Sequence, residues 1–281
     1  MANHSVLTFT CPDQPGIVHA ISGAIVGVNG NITESQQYSS PDTGTFFMRV
    51  QVECQSDAAS LQTVLDPVAT RFNGTVKVDE VARRVRTVIL VSTAGHCLEA
   101  LLSHTRTGAL PITVPLVMSN HPDLGDLAAF YGVAFEHHVI FPHTKAAFEE
   151  RVREVVLEMD IELVVLARFM QVLSPSLCDF LAAKAINIHH SFLPGFKGPN
   201  PYRQAHARGV KLIGATAHFV TADLDDGPII EQSVVRVDHS KSIEDLREIG
   251  RDAESVALNH AVKMFAQHRI LLDQVRTVVF S

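Results

Sequence analysis

Cysteine is scarce in this chain, and the features of several common protein classes are missing. The four cysteines lie far apart and include no C-x-x-C pair: Cys11, Cys54, Cys97 and Cys178. This spacing indicates reduced, buried thiols, as in cytosolic proteins, rather than a disulfide framework. The sequence does not open on a charged and then apolar leader, and no apolar run reaches the roughly 18 residues of a membrane helix. We therefore expect a cytoplasmic protein with no membrane partner.

Positive charge is also sparse. The 281 residues include 23 Lys and Arg against 30 Asp and Glu, which gives a formal net charge of −7 at pH 7. Because nucleic acids reward clustered Lys and Arg, we expect no nucleic-acid partner. The 15 histidines include no H-E-x-x-H motif, and we expect no bound metal.

The chain is long enough for about two domains. Its hydrophobic content of 46% and charged content of 19% allow a large core and argue against global disorder. The first 82 residues show strand alternation and helical spacing in turn. The predicted strands are 5–10, 32–39, 45–53 and 74–81. One predicted helix begins at Ile17 after the first strand, and the other, 57–72, follows the third strand. This β-α-β-β-α-β order is the ferredoxin-like plan, so we predict a first domain at 1–82.

The second predicted domain, 83–281, alternates apolar strands with helices, which is typical of a Rossmann-like open sheet with helices on both faces. The predicted strands are 87–92, 112–118, 134–140, 162–167 and 185–189, followed by two strands near 212–220 and 228–236 and a long helix from about 241 to 267. No G-x-G-x-x-G motif follows the first strand of this second domain, 87–92. A bound nicotinamide or flavin dinucleotide is therefore disfavoured.

The densest group of polar residues begins within the fifth of these strands, 185–189, and continues past its end. Asn187 and His189 are two residues apart in that strand, so their side chains project on the same side. They stand at the C-terminal edge of the sheet, where such folds bind ligands. An amide beside an imidazole suits a developing oxyanion, although both groups could instead satisfy loop backbone. The adjacent His190 is expected on the opposite face.

An acidic turn at 223–226 offers a carboxylate to this pair. It contains Asp223, Asp225 and Asp226 before Gly227 and a proline. Surface turns are commonly acidic, so the spacing alone does not choose among the three.

These motifs resemble the formyltransferase superfamily, which handles 10-formyltetrahydrofolate. The resemblance covers roughly residues 86–270 and is carried by Asn187-Ile188-His189 and by Leu224-Asp225 with Gly227-Pro228. It implies that Asn187, His189 and Asp225 are catalytic, with Asp225 either orienting His189 or taking a proton from water. It also implies that Gln171, Val172 and Leu173 contact the pterin edge. Folate would then be the substrate, with no resident cofactor.

The loop after the first strand of this domain separates members of the superfamily. Members that transfer the formyl group to a ribonucleotide amine use a Gly-Asn-Gly-Ser type of loop to cradle phosphate, whereas this chain has 93–97 as Thr-Ala-Gly-His-Cys. Water is then the simplest acceptor, and the resemblance is to the hydrolases of the superfamily. We expect formate and tetrahydrofolate as products, supplying formate for purine synthesis or balancing the folate pool. Transfer to a small amine and a non-catalytic folate and amino-acid sensor are the alternatives.

The first domain resembles an ACT domain at two places. The motif Asp13-Gln14-Pro15-Gly16-Ile17 opens a helix, and Asn31 begins the second strand. Gly16 lets backbone approach a ligand, and the helix N-terminus offers N–H groups to a carboxylate. The resemblance implies a small amino-acid effector at Asp13, Gly16, Ile17 and Asn31, although a purely structural or oligomerising role is equally open. We also expect a homo-oligomer, a dimer-based tetramer, assembled partly through 1–82.

Overall fold

The chain folds into two compact units in a computed structural model, which describes residues 2–195 and 201–281. The first unit contains Met1–Arg83 together with Gln267–Ser281, and the second contains Arg84–Ala266. The boundary near residue 83 agrees with the position expected from sequence. Residues 267–281, which the sequence analysis assigned to the second domain, instead belong to the first unit.

The first unit has the ferredoxin-like order expected of an ACT domain. Its elements are β1 (Asn3–Pro12), α1 (Ile17–Gly27), β2 (Asn31–Ser39), β3 (Thr45–Cys54), α2 (Ala58–Arg71) and β4 (Thr75–Glu80). The strands form one antiparallel sheet in the order β2-β3-β1-β4. The two helices follow β1 and β3, as the predicted pattern requires.

Alternating and helical spacings of apolar residues explain this unit. Helix α1 buries one isoleucine per turn against the sheet: Ile17, Ile21 and Ile25. Every second residue of β3 from Phe46 to Cys54 packs into the same core. Helix α2 begins after Asp57, whose carboxylate accepts a hydrogen bond from the backbone N–H of Ser60, so an otherwise unpaired donor is satisfied.

The second unit is a seven-stranded sheet covered by helices. Its elements are β5 (Val85–Val91), α3 (His96–Arg106), β6 (Ile112–Ser119), α4 (Gly125–Phe130), β7 (Ala134–His137), α5 (Lys145–Glu158), β8 (Leu163–Ala167), α6 (Pro175–Phe180), β9 (Ala185–His189), α7 (Pro201–Ala207), β10 (Leu212–Phe219), β11 (Ile229–Arg236) and α8 (Ile243–Ala266). No helix within the described ranges combines the length and hydropathy needed to cross a membrane.

The order of these strands, β11-β10-β9-β8-β5-β6-β7, places a topological switch point at β5. The five strands from β9 to β7 are parallel, whereas β10 and β11 add antiparallel to the β9 edge. Parallel strands buried on both faces explain the continuous apolar runs of β5 and β8. Ligands of such sheets bind at the C-terminal strand ends beside the switch point, and that is where the polar motifs lie.

A feature of the first unit that the sequence analysis did not predict is a C-terminal hairpin. Its two strands are β12 (Ile270–Asp273) and β13 (Arg276–Val279). Arg49 lies on the sheet face opposite the helices, and its Nε donates to the backbone carbonyl of Gln267, 3.2 Å away. Ser40 Oγ donates to the buried carboxylate of Asp273 at 2.7 Å. The chain end therefore completes the first unit rather than the second.

Candidate active site

A cavity of about 720 Å³ opens at the C-terminal ends of β8 and β9. All six residues expected to act in catalysis or folate binding line it: Gln171, Val172, Leu173, Asn187, His189 and Asp225. The cavity therefore brings together six residues that span 54 positions in the sequence, from 171 to 225. Every lining residue belongs to the second unit.

Asn187 is held by a histidine on the neighbouring strand. Asn187 and His218 are cross-strand partners of β9 and β10, and their Nδ2 and Nε2 atoms lie 3.2 Å apart. His218 Nδ1 lies 2.8 Å from the carbonyl oxygen of Phe219, so Nδ1 carries the proton and Nε2 accepts from the amide. Burial lowers the pKa of His218, which favours this neutral form. One amide N–H of Asn187 is thus committed, and its second N–H remains for a ligand.

His189 ends β9 and is 6% exposed. Its Nδ1 lies 3.2 Å from Oδ1 of Asp225, so the ring donates there. Its Nε2 is buried and has no hydrogen-bond partner among the described residues. A buried polar atom without a partner costs free energy unless a ligand or water satisfies it. The arrangement leaves one imidazole nitrogen available inside the cavity.

Asp225 is the member of the acidic turn that contacts His189. The residue has a left-handed backbone with φ of 56°, a conformation that Asp tolerates better than most residues. Gly227 lets the turn press against β10, because a Cβ there would overlap the carbonyl oxygen of Phe219. The hydrogen bond from His189 lowers the pKa of Asp225, so this carboxylate is ionised at neutral pH.

The segment expected to contact folate is a loop fixed at both ends. At one end, the backbone N–H of Met170 donates to Ser92 Oγ at 3.0 Å. At the other, the backbone N–H of Ser174 donates to Glu149 at 2.8 Å, and this glutamate is buried. Between the anchors, the backbone groups of 171–173 form no hydrogen bond with any described residue. The loop therefore offers a fixed row of backbone donors and acceptors to a planar ligand.

A buried charged group on a second wall was not predicted. Glu254 of α8 is only 1% exposed. Its Oε2 lies 2.8 Å from His96 Nε2 and 3.3 Å from Arg168 Nε, and Tyr202 donates its hydroxyl to Oε1 at 2.8 Å. We call these four side chains the Glu254 cluster. The available sequence indication was an acid among the apolar positions of an amphipathic helix.

Two members of this cluster, together with the neighbouring Cys97, have the composition of a metal site. Ligand atoms of His96, Cys97 and Glu254 lie within 4.8 Å of one another. Arg168, however, directs its positive charge at the same carboxylate oxygen that would coordinate the ion. Burial raises the pKa of the Cys97 thiol, and metals bind the thiolate rather than the thiol. The group is better described as a buried ion-pair network.

His190 does not point away from the site, contrary to expectation. The residue follows the last position of β9, so strand alternation no longer fixes its direction, and it lines the cavity. Its ring centroid lies 5.1 Å from that of His189 and 6.2 Å from that of Tyr202. Burial, followed by the positive charge of Arg168, lowers the pKa of His190 to about 4. His190 is therefore neutral at pH 7.

The expected effector residues of the first unit lie at two separate places in one chain, with Asn31 far from the turn that contains the other three. Gly16 adopts φ of 94° at the start of α1, and a Cβ added there would meet no other atom within 4 Å, whereas Ile17 is buried in the core. Asp13 follows the end of β1, but Asn31 pairs with Glu53 at the level where β1 begins. At about 3.3 Å per residue, Asp13 and Asn31 are about 25–30 Å apart.

Comparison with known proteins identifies both units. The formyl transferase family model matches residues 85–262, and the ACT domain model matches residues 5–69. The chain is 45% identical over 279 residues to the formyltetrahydrofolate deformylase of Corynebacterium sp. (strain P-1), covering 98% of this chain and 97% of that protein. It is 41% identical over 282 residues to the deformylase of Bacillus subtilis (strain 168), covering 98% and 93%.

Solved structures give the same result. The formyltetrahydrofolate deformylase of Burkholderia mallei ATCC 23344 superposes with a TM-score of 0.96 at 46% identity, covering 99% of this chain and all of that one. A glycinamide ribonucleotide transformylase from Symbiobacterium toebii reaches a TM-score of 0.66 at 32% identity, over 70% of this chain and 95% of its own. Of these two solved structures, only the deformylase is similar to this chain over both units.

Proposed function

Since the chain belongs to the formyltetrahydrofolate deformylase family, we propose that it hydrolyses 10-formyltetrahydrofolate to formate and tetrahydrofolate. One observation carries this proposal: His189 Nε2 is buried and unpartnered in the cavity that Asn187 also lines. Together they provide a proton acceptor and an amide donor beside space for a folate.

In the proposed reaction, a water oxygen bonds to the formyl carbon while His189 Nε2 takes one proton from that water. The free N–H of Asn187 donates to the oxyanion that develops on the formyl oxygen. The imidazolium of His189 then returns its proton to N10 of the folate as the C–N bond breaks. Formic acid leaves and ionises in solution. Side chains supply every proton transfer, so folate enters as substrate and no resident cofactor is required.

We propose that Asp225 orients His189 rather than taking the proton from water. Its Oδ1 accepts from His189 Nδ1, which fixes the tautomer with Nε2 unprotonated in the resting state. A carboxylate with a lowered pKa is a weak base, but it stabilises the imidazolium that forms. The pterin would lie along the free backbone groups of 171–173.

The test is formate release from 10-formyltetrahydrofolate in buffer that contains no amine. Release at a rate that scales with enzyme concentration supports hydrolysis. Release that begins only when an amine such as glycinamide ribonucleotide is added would favour transfer instead. Folate binding with no turnover under either condition would favour the non-catalytic sensor.

We further propose a regulatory role for the first unit. ACT domains typically bind amino-acid effectors, and the turn at Gly16 exposes the start of α1. Because Asp13 and Asn31 lie at opposite ends of the sheet in one chain, a site that uses both must combine two copies. This supports a homo-oligomer built partly through the first unit, and a dimer-based tetramer remains the proposed assembly.

A further inference from the structure

The Glu254 cluster lines the cavity, yet the reaction proposed above does not use it. Its side chains come from four separate places in the second unit, namely α3, α7, α8 and the loop after β8. Burying a carboxylate with an arginine costs desolvation free energy that an apolar wall would avoid. The cost is explained if the cluster serves the chemistry of the cavity.

Tyr202 extends from this cluster toward His190. Gly250 precedes Glu254 by one helical turn, and a Cβ at position 250 would overlap the Tyr202 hydroxyl. The absence of a side chain there allows Tyr202 to reach Glu254 and to pack against His190 at the same time. Tyr202, which donates its hydroxyl to Glu254, thus lies beside the His190 ring.

The His190 ring lies near both Tyr202 of the Glu254 cluster and the proposed catalytic residue His189. Arg168 and His189 lower its pKa, whereas Glu254 and Asp225 raise it, and burial outweighs them all. A neutral imidazole has one acceptor nitrogen. The His190 ring lies 5.1 Å from that of His189, whose Nε2 has no partner among the described residues, so the cavity contains two neighbouring imidazoles.

We propose that His190 positions the attacking water by accepting a hydrogen bond from it, and that the Glu254 cluster holds His190 in place. This inference rests on the proposed hydrolysis. A water molecule has two O–H groups for the two imidazoles: one donates to His190, and the other gives its proton to His189 Nε2 as the oxygen bonds to the formyl carbon. The first O–H remains intact as the hydroxyl of the tetrahedral intermediate. His190 is a positioning residue and exchanges no proton.

The test compares His190→Leu with His190→Gln in the full-length protein. Leu keeps much of the volume and removes the acceptor, whereas Gln supplies an amide oxygen. We expect kcat for formate release to fall about 10- to 100-fold in His190→Leu, with KM changed less than about threefold. His190→Gln should recover at least about tenfold of that loss. The exposed His143, which stacks on Phe141 outside the cavity, gives the control variant His143→Ala.

A second measurement separates water positioning from packing. Hydroxylamine competes with water for the formyl group, and we expect His190→Leu to raise the ratio of formylhydroxylamine to formate at least about fivefold. Tyr202→Phe removes only the hydroxyl bonded to Glu254. Like His190→Leu, it should lower kcat and raise this ratio. If His190→Leu unfolds early, His190→Gln and Tyr202→Phe still decide the question.

Three results would overturn the proposal. They are a kcat of His190→Leu within twofold of wild type, equal losses in the Leu and Gln variants, or an unchanged product ratio in every variant. These three results count against the proposal only when the wild-type protein releases formate in the absence of amine. A wild-type protein that releases none rejects the proposed function instead, so the two failures are distinguishable.

Discussion

Asn187 donates its amide Nδ2 to His218 Nε2 across β9 and β10, at 3.2 Å, and His218 is itself fixed by the carbonyl of Phe219. This pair determines which way the amide of Asn187 presents its remaining N–H. We predict that His218→Leu lowers kcat about 10- to 100-fold, because a misoriented amide loses much of its stabilisation of the oxyanion.

A double-mutant cycle with Asn187→Ala checks this prediction through formate release. If His218 acts through Asn187, the double variant should be barely slower than Asn187→Ala alone. Multiplicative losses would show that His218 acts independently of the amide. His260, which pairs with Glu231 on the surface, supplies the control His260→Ala, for which we expect near-normal turnover.

The pair of His189 and Asp225 gives a second prediction. His189→Ala should lower turnover at least about a hundredfold, because it removes the group that takes and returns the proton. Asp225→Asn should also lower kcat, since an amide can turn its NH₂ toward His189 and favour the wrong tautomer. Single-turnover formate release measures both. Near-normal turnover by His189→Ala would remove it from the mechanism.

The sequence predicted much of this site because strand geometry is local. Two-residue spacing places Asn187 and His189 on one side of β9, and both line the cavity. His218 was missed because its role depends on the register of β10 against β9, which is a property of two strands. Glu254 was missed because its three partners come from elements distant in sequence.

The lowered pKa of His190 predicts how stability depends on pH. In the folded protein this histidine binds a proton only near pH 4, whereas an unfolded histidine does so near pH 6.5. The unfolded state therefore binds more protons between these values, and the free energy of unfolding falls as pH falls. Replacing His190 by Gln should reduce the loss between pH 7 and pH 5 by about 2 kcal/mol. Urea unfolding at both pH values measures it, and equal losses in both proteins would contradict it.

The C-terminal hairpin contributes stability to the first unit, and Asp273 tests this. Its buried carboxylate accepts from Ser40 Oγ, also buried, so Asp273→Ala leaves that hydroxyl without its partner. We expect a loss of about 1–3 kcal/mol in the free energy of unfolding. Arg276→Ala is the control in the same hairpin: its pair with Asp42 is exposed, and its second contact, to Asp273 Oδ2, is long at 3.6 Å, so this variant should change stability much less. Chemical denaturation measures both, and equal effects would contradict the prediction.

Two features of the first unit show where sequence patterns stop being informative. The strands of the hairpin have four residues each, at 270–273 and 276–279, which is too short for a clear alternation. Asn31 was correctly placed at the start of β2, but its distance from Asp13 follows from the antiparallel register of β2, β3 and β1. Periodicity identifies strands without fixing which of their ends lie together.

That separation leads to a prediction about the effector. If Asp13 of one copy and Asn31 of another form the site, Asp13→Ala and Asn31→Ala should each abolish the response of turnover to small amino acids. Mixed oligomers of the two variants contain one interface with both native residues, so part of the response should return. The coupling expected between effector and active site is about 1–3 kcal/mol. Turnover is measured with each amino acid in turn, on separate variants and after the two are refolded together.

The controls follow from the same geometry. A double variant that carries both substitutions in one chain, refolded with wild-type protein in equal amounts, has no interface with both native residues in its mixed pairs. It should therefore respond only through the wild-type pairs that remain. A response retained by either single variant would place the effector elsewhere. Failure of the mixture to respond, with mixed oligomers confirmed by native mass spectrometry, would show that the two residues do not share a site between copies.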